Sequence, residues 1–399
     1  MDKQRPIIVI ALITAACLLG DSMLYIVLPV HWDEMGLTSL WQVGIILAMN
    51  RIVRIPLNPL VSRLYQKISA RSGMTIAVIL AAGTTAAYGV VSNFVIFILL
   101  RCLWGLAWSF LRLGAYFTIL DCSTDANRGH SMGQYNGLYR LGSLGGMLFG
   151  GVLADTVGVR VTCSMFAMCS LVALPFVFKF VPAAGRGLVA EAATAEQDYK
   201  FGQHLDVLKV LIAGTFLALV FQGMLNSTLS YLIKLHYPTG LSLMGMVIGA
   251  ASLGGVLQAI RWSWEPWLAP LSGKLTDGPG GRFPMLVGSA LVAGFCFALV
   301  PRKMGLMLWI LLVMVLQLTA TSLTTVADAL AADVAVGSAK VKIMTLYSLL
   351  IDAGAAIGPV LAYFANQYLH SHASCYLAAA MLLFLAFYYL PAAKRKLSS

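Results

Sequence analysis

The chain has 399 residues, of which 59% are hydrophobic and only 11% charged, far outside the composition of a soluble protein. Its net charge of +11 points to nucleic acid only where the charges form a patch; here they sit in short loops, which argues against nucleic-acid binding. Apolar runs long enough to cross a bilayer recur from end to end, so the composition predicts a polytopic membrane protein.

Charged and turn-rich junctions divide the chain into twelve predicted spans, near 7–30, 40–65, 74–92, 94–120, 131–156, 160–182, 205–234, 242–274, 283–301, 305–332, 342–368 and 373–391. The first, from Pro6 to Pro29, is too long for a signal-peptide core and no small-residue cleavage site follows it, so it is expected to stay as a helix. Seven cysteines, mostly inside apolar segments and without paired spacing, read as small buried hydrophobes rather than a disulfide framework. With the N-terminus taken as cytoplasmic, seventeen Lys and Arg residues fall on the inner side, and only Arg160, Lys234, Arg302 and Lys303 on the outer. That asymmetry predicts both termini inside, in a cell membrane of the bacterial inner-membrane kind. The largest polar interruption, Ala183 to His204, is expected to be a cytosolic connector. It separates a first six-span half, 1–182, from a second, 205–399.

Span five carries Arg140-Leu-Gly142-Ser-Leu-Gly-Gly146-Met-Leu-Phe-Gly150-Gly151. Glycines every four residues make one smooth stripe on a helix, and such a stripe lets a neighbouring backbone approach closely in lipid. At an offset of 212 the pattern returns as Asp352-Ala-Gly354-Ala-Ala-Ile-Gly358-Pro359, and the same offset sets Asp121 on Asp333, Met132 on Met344 and Tyr135 on Tyr347. The stretches Asn58-Pro59-Leu60-Val-Ser62-Arg63-Leu64 and Ala269-Pro270-Leu271-Ser-Gly273-Lys274-Leu275, the second running on to Asp277, match at an offset of 211. Two separate places in each half thus report one duplication.

On these motifs the chain resembles the major facilitator superfamily along its whole length. The resemblance implies an all-α fold of twelve helices in two pseudo-symmetric six-helix bundles, with a central cavity opening alternately to each side, and a monomer. The superfamily's loop motif G-x-L-x-D-R-x-G-R-R is present at 58–67 in degenerate form, with Asn58 for the glycine and Ser62 for the acid. The change at Ser62 removes the usual charge lock of the first half, for which Asp277 offers an analogue in the second. Span four has the R-x-x-x-G pattern at Arg101 and Gly105; span five has the glycine motif associated with exporters, with Met147 where proline is usual. Asp21 and Pro29 near the outer end of span one are similar to an arrangement found in many drug:proton antiporters. By this reading Gly142, Gly146, Gly150, Gly151, Gly354, Gly358, Pro359, Asn58, Ser62, Arg63, Lys274 and Asp277 serve packing and gating.

Ten ionisable residues fall within spans: Asp21, Arg51, Arg54, Arg101, Arg112, Arg140, Arg261, Glu265, Asp328 and Asp352. Facing hydrocarbon, each would cost roughly 2.5–3.5 kcal/mol on insertion scales, so they are expected to face a watery cavity or one another. Six arginines against four acids leave surplus positive charge, which favours an anionic or zwitterionic ligand gripped by guanidinium forks. Asp21, Glu265 and Asp352 are the candidates for proton coupling, since burial and a nearby arginine push a carboxyl pKa in opposite directions. Asp352 and Arg140, related by the duplication, are expected to pair between bundles in one state only. Arg51, Arg54, Arg101, Arg112, Arg140 and Arg261, with Tyr25, Trp104, Trp108, Gln222, Asn226 and Asp328, are the candidate substrate contacts. Trp262, Trp264 and Trp267 are expected to shield Glu265 from water.

No H-E-x-x-H, G-x-S-x-G or G-x-x-x-x-G-K-[ST] motif occurs and the six histidines are scattered, which argues against an intramembrane enzyme, a metal site or cofactor, and an ATP-driven pump. A gradient must then supply the energy. The sequence therefore predicts a secondary transporter moving a small molecule against protons, with efflux of an amphipathic, anionic or zwitterionic metabolite or drug favoured. A siderophore-type metallophore would satisfy both the export motif and the cationic cavity. Proton-symport uptake of an organic anion is the runner-up, and a transporter-shaped receptor the reading from another class.

Overall fold

In the computed structural model the described residues are 5–123, 128–181, 205–238, 241–243, 246–276, 281–335 and 340–397. Each predicted span falls largely on helix. The first six are α1 (Arg5–Val27), α2 (Leu40–Ile52) with α3 (Arg54–Tyr65), α4 (Ala70–Tyr88), α5 (Phe94–Cys122), α6 (Arg128–Val157), and α7 (Val159–Val172) with α8 (Leu174–Phe180). Span seven runs through α9 (Leu205–Leu217), a π-helical turn (Ala218–Leu225) and α10 (Asn226–His236). The remainder are α11 (Ala250–Thr276), α12 (Arg282–Leu299), α13 (Leu306–Val334), α14 (Lys340–Tyr368) and α15 (Ala373–Leu397). Nine helical stretches among the described residues are long and apolar enough to cross a bilayer; α4, α6 and α11 carry more small, hydroxylated or charged residues. The predicted connector 183–204 and Asp277 lie outside the described residues.

Three boundaries differ from the sequence expectation, each for a local reason. Span two breaks at Val53, because Pro56 has no N–H to offer the carbonyl of Ile52. The motif from Asn58 onward is accordingly helical as far as Tyr65, and the turn after it is short. Span six breaks at Ala173, where Pro175 withholds the same bond from Leu171. Span eight, expected from 242, starts at Ala250. Before it, β1 (Leu241–Leu243) and β2 (Met246–Ile248) pair antiparallel, with Leu241 opposite Ile248, in a stretch where Gly245 and Gly249 weaken any helix. The starts of α4 and α5 carry side-chain caps, from Ser69 and Asn93. The Asn93 side-chain oxygen accepts from the N–H groups of Val95 and Ile96 at 2.9 and 3.2 Å.

The glycine stripe works as a seam. A Cβ at Gly142 would strike the backbone of Ala15, one at Gly146 the backbone of Leu19, and one at Gly150 the side chain of Met23. Positions four apart on α6 thus lie on positions four apart on α1. The second copy repeats the device: Gly354 lies on the backbone of Thr215, and Gly358 on Leu219 and Gly223. Contacts of this closeness need glycine on the inner face.

The chain gathers into two compact units. Met1–Glu196 with Leu229–Ala259 form one, and Gln197–Thr228 with Ile260–Ser399 the other. Most of α10 and the first ten residues of α11 therefore belong with the first six spans. The core of the first unit is built on Trp104, Tyr65, Met74, Phe110 and Ile10; that of the second includes Trp309, Tyr363, Phe221 and Phe297. Outside these cores, Val95, Leu99 and Leu103 on α5 and Phe384 and Phe387 on α15 are exposed. An apolar solvent satisfies such a surface and water does not.

Candidate functional site

In the first unit, three helices bring a carboxylate, an amide and a guanidinium to one point. Asp21 of α1 is 6% exposed and Arg101 of α5 is fully buried. Arg101 Nη1 pairs with Asp21 Oδ1, and its Nε donates to the carbonyl of Ile46 at 3.0 Å. Asn50 Nδ2 on α2 donates to the same Asp21 oxygen at 3.1 Å. An ion pair this dry survives only because the extra hydrogen bonds replace water. The expected proton carrier Asp21 and the expected substrate ligand Arg101 therefore hold each other in this state.

Next to this pair runs a band of rings edged by guanidinium groups. Arg54 of α3 donates through Nε to the carbonyl of Asn50 at 3.0 Å, and its guanidinium carbon lies 5.9 Å from the centre of the Trp108 ring. Trp104 and Trp108, one turn apart on α5, stack at 5.9 Å, and Trp108 meets Tyr139 of α6 edge-on at 5.7 Å. The ring contacts continue through Tyr139–Tyr135 at 5.1 Å and Tyr135–Tyr116 at 6.3 Å. They end where Arg112 covers Tyr116 at 5.6 Å and donates to its hydroxyl at 2.9 Å. Arg54 and Arg112 are half-buried, so they combine cation–π support with reach. The indole N–H groups of Trp104 and Trp108 are buried with no hydrogen-bond partner among the described residues. Such donors are costly to leave unused unless something else supplies an acceptor. Arg51 Nε lies 3.5 Å from the Tyr25 hydroxyl, and Arg140, beside Tyr139 on α6, is exposed.

The second unit is arranged differently. Arg261 of α11 is 4% exposed, donates from Nη1 to Asn226 Oδ1 at 2.9 Å, and lies 5.9 Å over the Trp262 ring. Glu265 follows one turn later, half-buried, on the same face as Arg261. Trp267 corrects the expected shield: it is 79% exposed, since two residues along a helix point away from Glu265. Gln222 is half-buried within the π-helical turn, and Asp352 is half-buried on α14. Asp328 is exposed and accepts from the Tyr347 hydroxyl at 2.8 Å. Arg282 pairs with Asp333, tying the start of α12 to the end of α13.

Among the packing residues, Asn58 Oδ1 accepts from Ser109 Oγ at 2.7 Å, so it ties α3 to α5. Ser62 is half-buried, Arg63 exposed and Pro359 buried in α14; the Lys274 side chain lies outside the described residues. Sequence reasoning missed Asn50, Tyr116 and Tyr139. Asn50 had a signal in retrospect: it sits one turn before Arg54, so it shares that helical face. Among the described residues no three His, Cys, Asp or Glu side chains gather to hold a metal ion.

With this geometry in place, the comparisons fix the class. The family model of the Major Facilitator Superfamily matches residues 10–317. The chain belongs to that superfamily, and is accordingly a transporter rather than an enzyme. A search of curated proteins with the sequence gave no significant match. Among solved structures, a bacterial homologue of the human lysosomal transporter Spinster, in an inward-facing and unoccupied conformation, has a TM-score of 0.75 at 13% identity, covering 99% of this chain and 98% of its own. A POT family transporter in complex with 5-aminolevulinic acid also has a TM-score of 0.75, at 11% identity over 98% and 96% of the two chains. A D-xylose–proton symporter has 0.71 at 15% identity over 96% of each. At these identities the likeness is one of fold.

Proposed function

We propose that the protein is a proton-coupled exporter of a small amphipathic anion or zwitterion, acting by alternating access. In this reading it is a monomer with both termini in the cytoplasm, and it divides functionally into 1–182 and 205–399. The observation that carries the substrate class is the band in the first unit. Half-buried Arg54 and Arg112 edge a row of rings whose indole N–H groups have no acceptor among the described residues. An acidic group answers the guanidinium forks and an apolar body answers the rings. Proton coupling is supported by Asp21, whose protonation would cancel its attraction for Arg101 and free that side chain to move. Glu265 beside Arg261 and the half-buried Asp352 are the second-unit candidates.

The span-five glycines support export. Proton-symport uptake of an organic anion is the second reading, favoured by the likeness in fold to a proton symporter. A siderophore-type metallophore is a special case of the export reading. Everted vesicles separate the directions: export predicts accumulation driven by an imposed proton gradient, and symport predicts none. The first measurement is a thermal-stabilisation screen of the purified protein with anionic metabolites, repeated on Arg54→Ala and Asp21→Asn. Stabilisation by lipophilic cations alone would overturn the substrate class.

A further inference from the structure

One end of the first unit holds a cluster that the proposal above does not use. His31 lies in the turns just past α1, outside the span. Its Nδ1 is 3.0 Å from Glu34 Oε2, and its Nε2 is 3.2 Å from Asp155 Oδ1. A neutral imidazole has one N–H, but here each ring nitrogen faces a carboxylate oxygen; only the doubly protonated ring donates to both.

The Asp155 carboxylate, two residues from the end of α6, is shared. Its Oδ2 accepts from the backbone N–H and from the hydroxyl of Ser252, each at 2.7 Å. Ser252 is the third residue of α11, so the carboxylate sits on the helix N-terminus, where N–H groups lack intrahelical partners and the dipole favours negative charge. The two helices are packed closely enough for that bond to form. Gly151 of α6 lies on the backbone of Ala251, Gly255 of α11 on the backbone of Met147, and a Cβ at Gly249 would strike the Asp155 carboxylate. From α10, Lys234 donates to the carbonyl of Val30, beside His31, at 2.5 Å. The charged groups around His31 are thus Glu34 and exposed Asp33 on its own turn, Asp155 from α6 and Lys234 from α10, with the helix N-terminus of α11 behind Asp155.

We propose that His31 is a proton-binding site whose protonated form latches the ends of α1, α6 and α11 together. By the orientation proposed above this end faces outward, so the latch would respond to external pH. Burial lowers the pKa of His31, but the hydrogen bonds and charges of Asp155 and Glu34 outweigh it, and the net shift is upward. The sign follows: a raised pKa in the latched state means that the latch is strongest at low pH and is lost as pH rises through that pKa. Acid outside holds this end shut, and alkali loosens it.

Hydrogen–deuterium exchange on the intact purified protein tests this, followed from about pH 5 to about pH 9 and corrected for the intrinsic pH dependence of exchange. In the wild type, protection over 28–36 and 250–256 should fall roughly tenfold as His31 loses its proton, the weight of one charge-assisted bond. His31→Gln should flatten that profile, and Asp155→Asn should leave both segments unprotected throughout. An unchanged profile in His31→Gln overturns the proposal. Should that variant fail to fold, the His31 resonance in histidine-labelled protein gives a second test. Its pKa should lie above the ordinary imidazole value and return towards it in Asp155→Asn, which removes one of the two carboxylates that raise it; a pKa at or below the ordinary value sinks the latch. Neither readout uses a substrate or a gradient, so failure of the latch and failure of the transport reading are distinguishable.

Discussion

The two glycine seams and the charges beside them make an instructive contrast. In the first unit Gly142 and Gly146 lie on Ala15 and Leu19, and in the second Gly354 and Gly358 lie on Thr215 and Leu219. The partners keep the same four-residue step, so the duplicated frame is preserved down to backbone contacts. The chemistry next to it is not. Asp21 sits on the first seam's partner helix and engages Arg101, whereas the corresponding stretch of span seven is an uncharged π-helical turn carrying Gln222. Its arginine, Arg261, engages the neutral Asn226 instead. Packing positions are tied by close contact; ionisable positions are free to differ, and that asymmetry gives one half a buried ion pair and the other a buried guanidinium held by a neutral amide beside Glu265. A π-turn is itself a frequent mark of a functional place in a helix.

The largest expected effect breaks the contrast at the buried pair. Arg101→Met leaves the Asp21 carboxylate dry and unpaired, which should cost about 3–5 kcal/mol. Thermal unfolding in detergent should show a large loss for Arg101→Met, and the double variant with Asp21→Asn should recover much of it. In the second unit Arg261→Met takes the donor from the neutral Asn226 amide and a guanidinium from beside half-buried Glu265, and should cost less, about 1–3 kcal/mol. Equal losses at the two arginines would erase the distinction between the units.

Next come the seams, where the contrast should vanish. Gly146→Leu and Gly358→Leu each push a side chain into a facing backbone, and overpacking of that kind costs about 1–3 kcal/mol. The two variants should lose similar stability if the frame is truly shared. A loss confined to one of them would show that only one seam bears packing weight.

The band of rings sharpens the comparison in function rather than stability. Arg54→Ala and Arg112→Ala remove half-buried guanidinium groups from the first unit while leaving the Asp21–Arg101 pair intact. Each should weaken binding of an acidic ligand about tenfold to a hundredfold, the value of one charged hydrogen bond at about 1.4 kcal/mol per decade. Thermal-shift titration reads this directly, as the ligand-induced shift measured against each variant's own ligand-free unfolding temperature.

Much of this was legible in the sequence because membrane constraints are severe. Hydrophobic runs placed the helices, nine stretches of which among the described residues are long and apolar enough to cross a bilayer, and the glycine spacing located both seams, since period-four small residues leave few alternatives. Pairings among the charges were not legible. Asp21 and Arg101 are 80 positions apart, and nothing in either local pattern says that they meet; both simply read as costly groups needing a partner. Asn50 looked like an ordinary polar residue beside two arginines, although its amide completes the pair. His31 and Asp155 escaped notice because charges at span ends are unremarkable in sequence; only the fold shows both ring nitrogens facing carboxylates. The three breaks follow local rules, prolines at 56 and 175 and glycines around 245–249, but hydropathy averaging conceals them.

The smallest expected effect concerns the tryptophans of α11, and it separates proximity in sequence from proximity in space. Trp108 in the first unit and Trp262 in the second each lie 5.9 Å from an arginine, so the cation–ring contact is one piece of chemistry the two units do share. Trp267 lies just two residues beyond Glu265 but is 79% exposed, with its ring turned away from the charged face. Trp267→Ala should therefore stay within about 0.5 kcal/mol of the wild type. Trp262→Ala should lose the ring beneath a buried guanidinium, worth about 2 kcal/mol where the charge is desolvated. If unfolding in detergent showed the two variants equally destabilised, the second unit would be using Trp267 to cover its acid after all. The likeness between Arg54–Trp108 and Arg261–Trp262 would then no longer describe how each unit holds its charge.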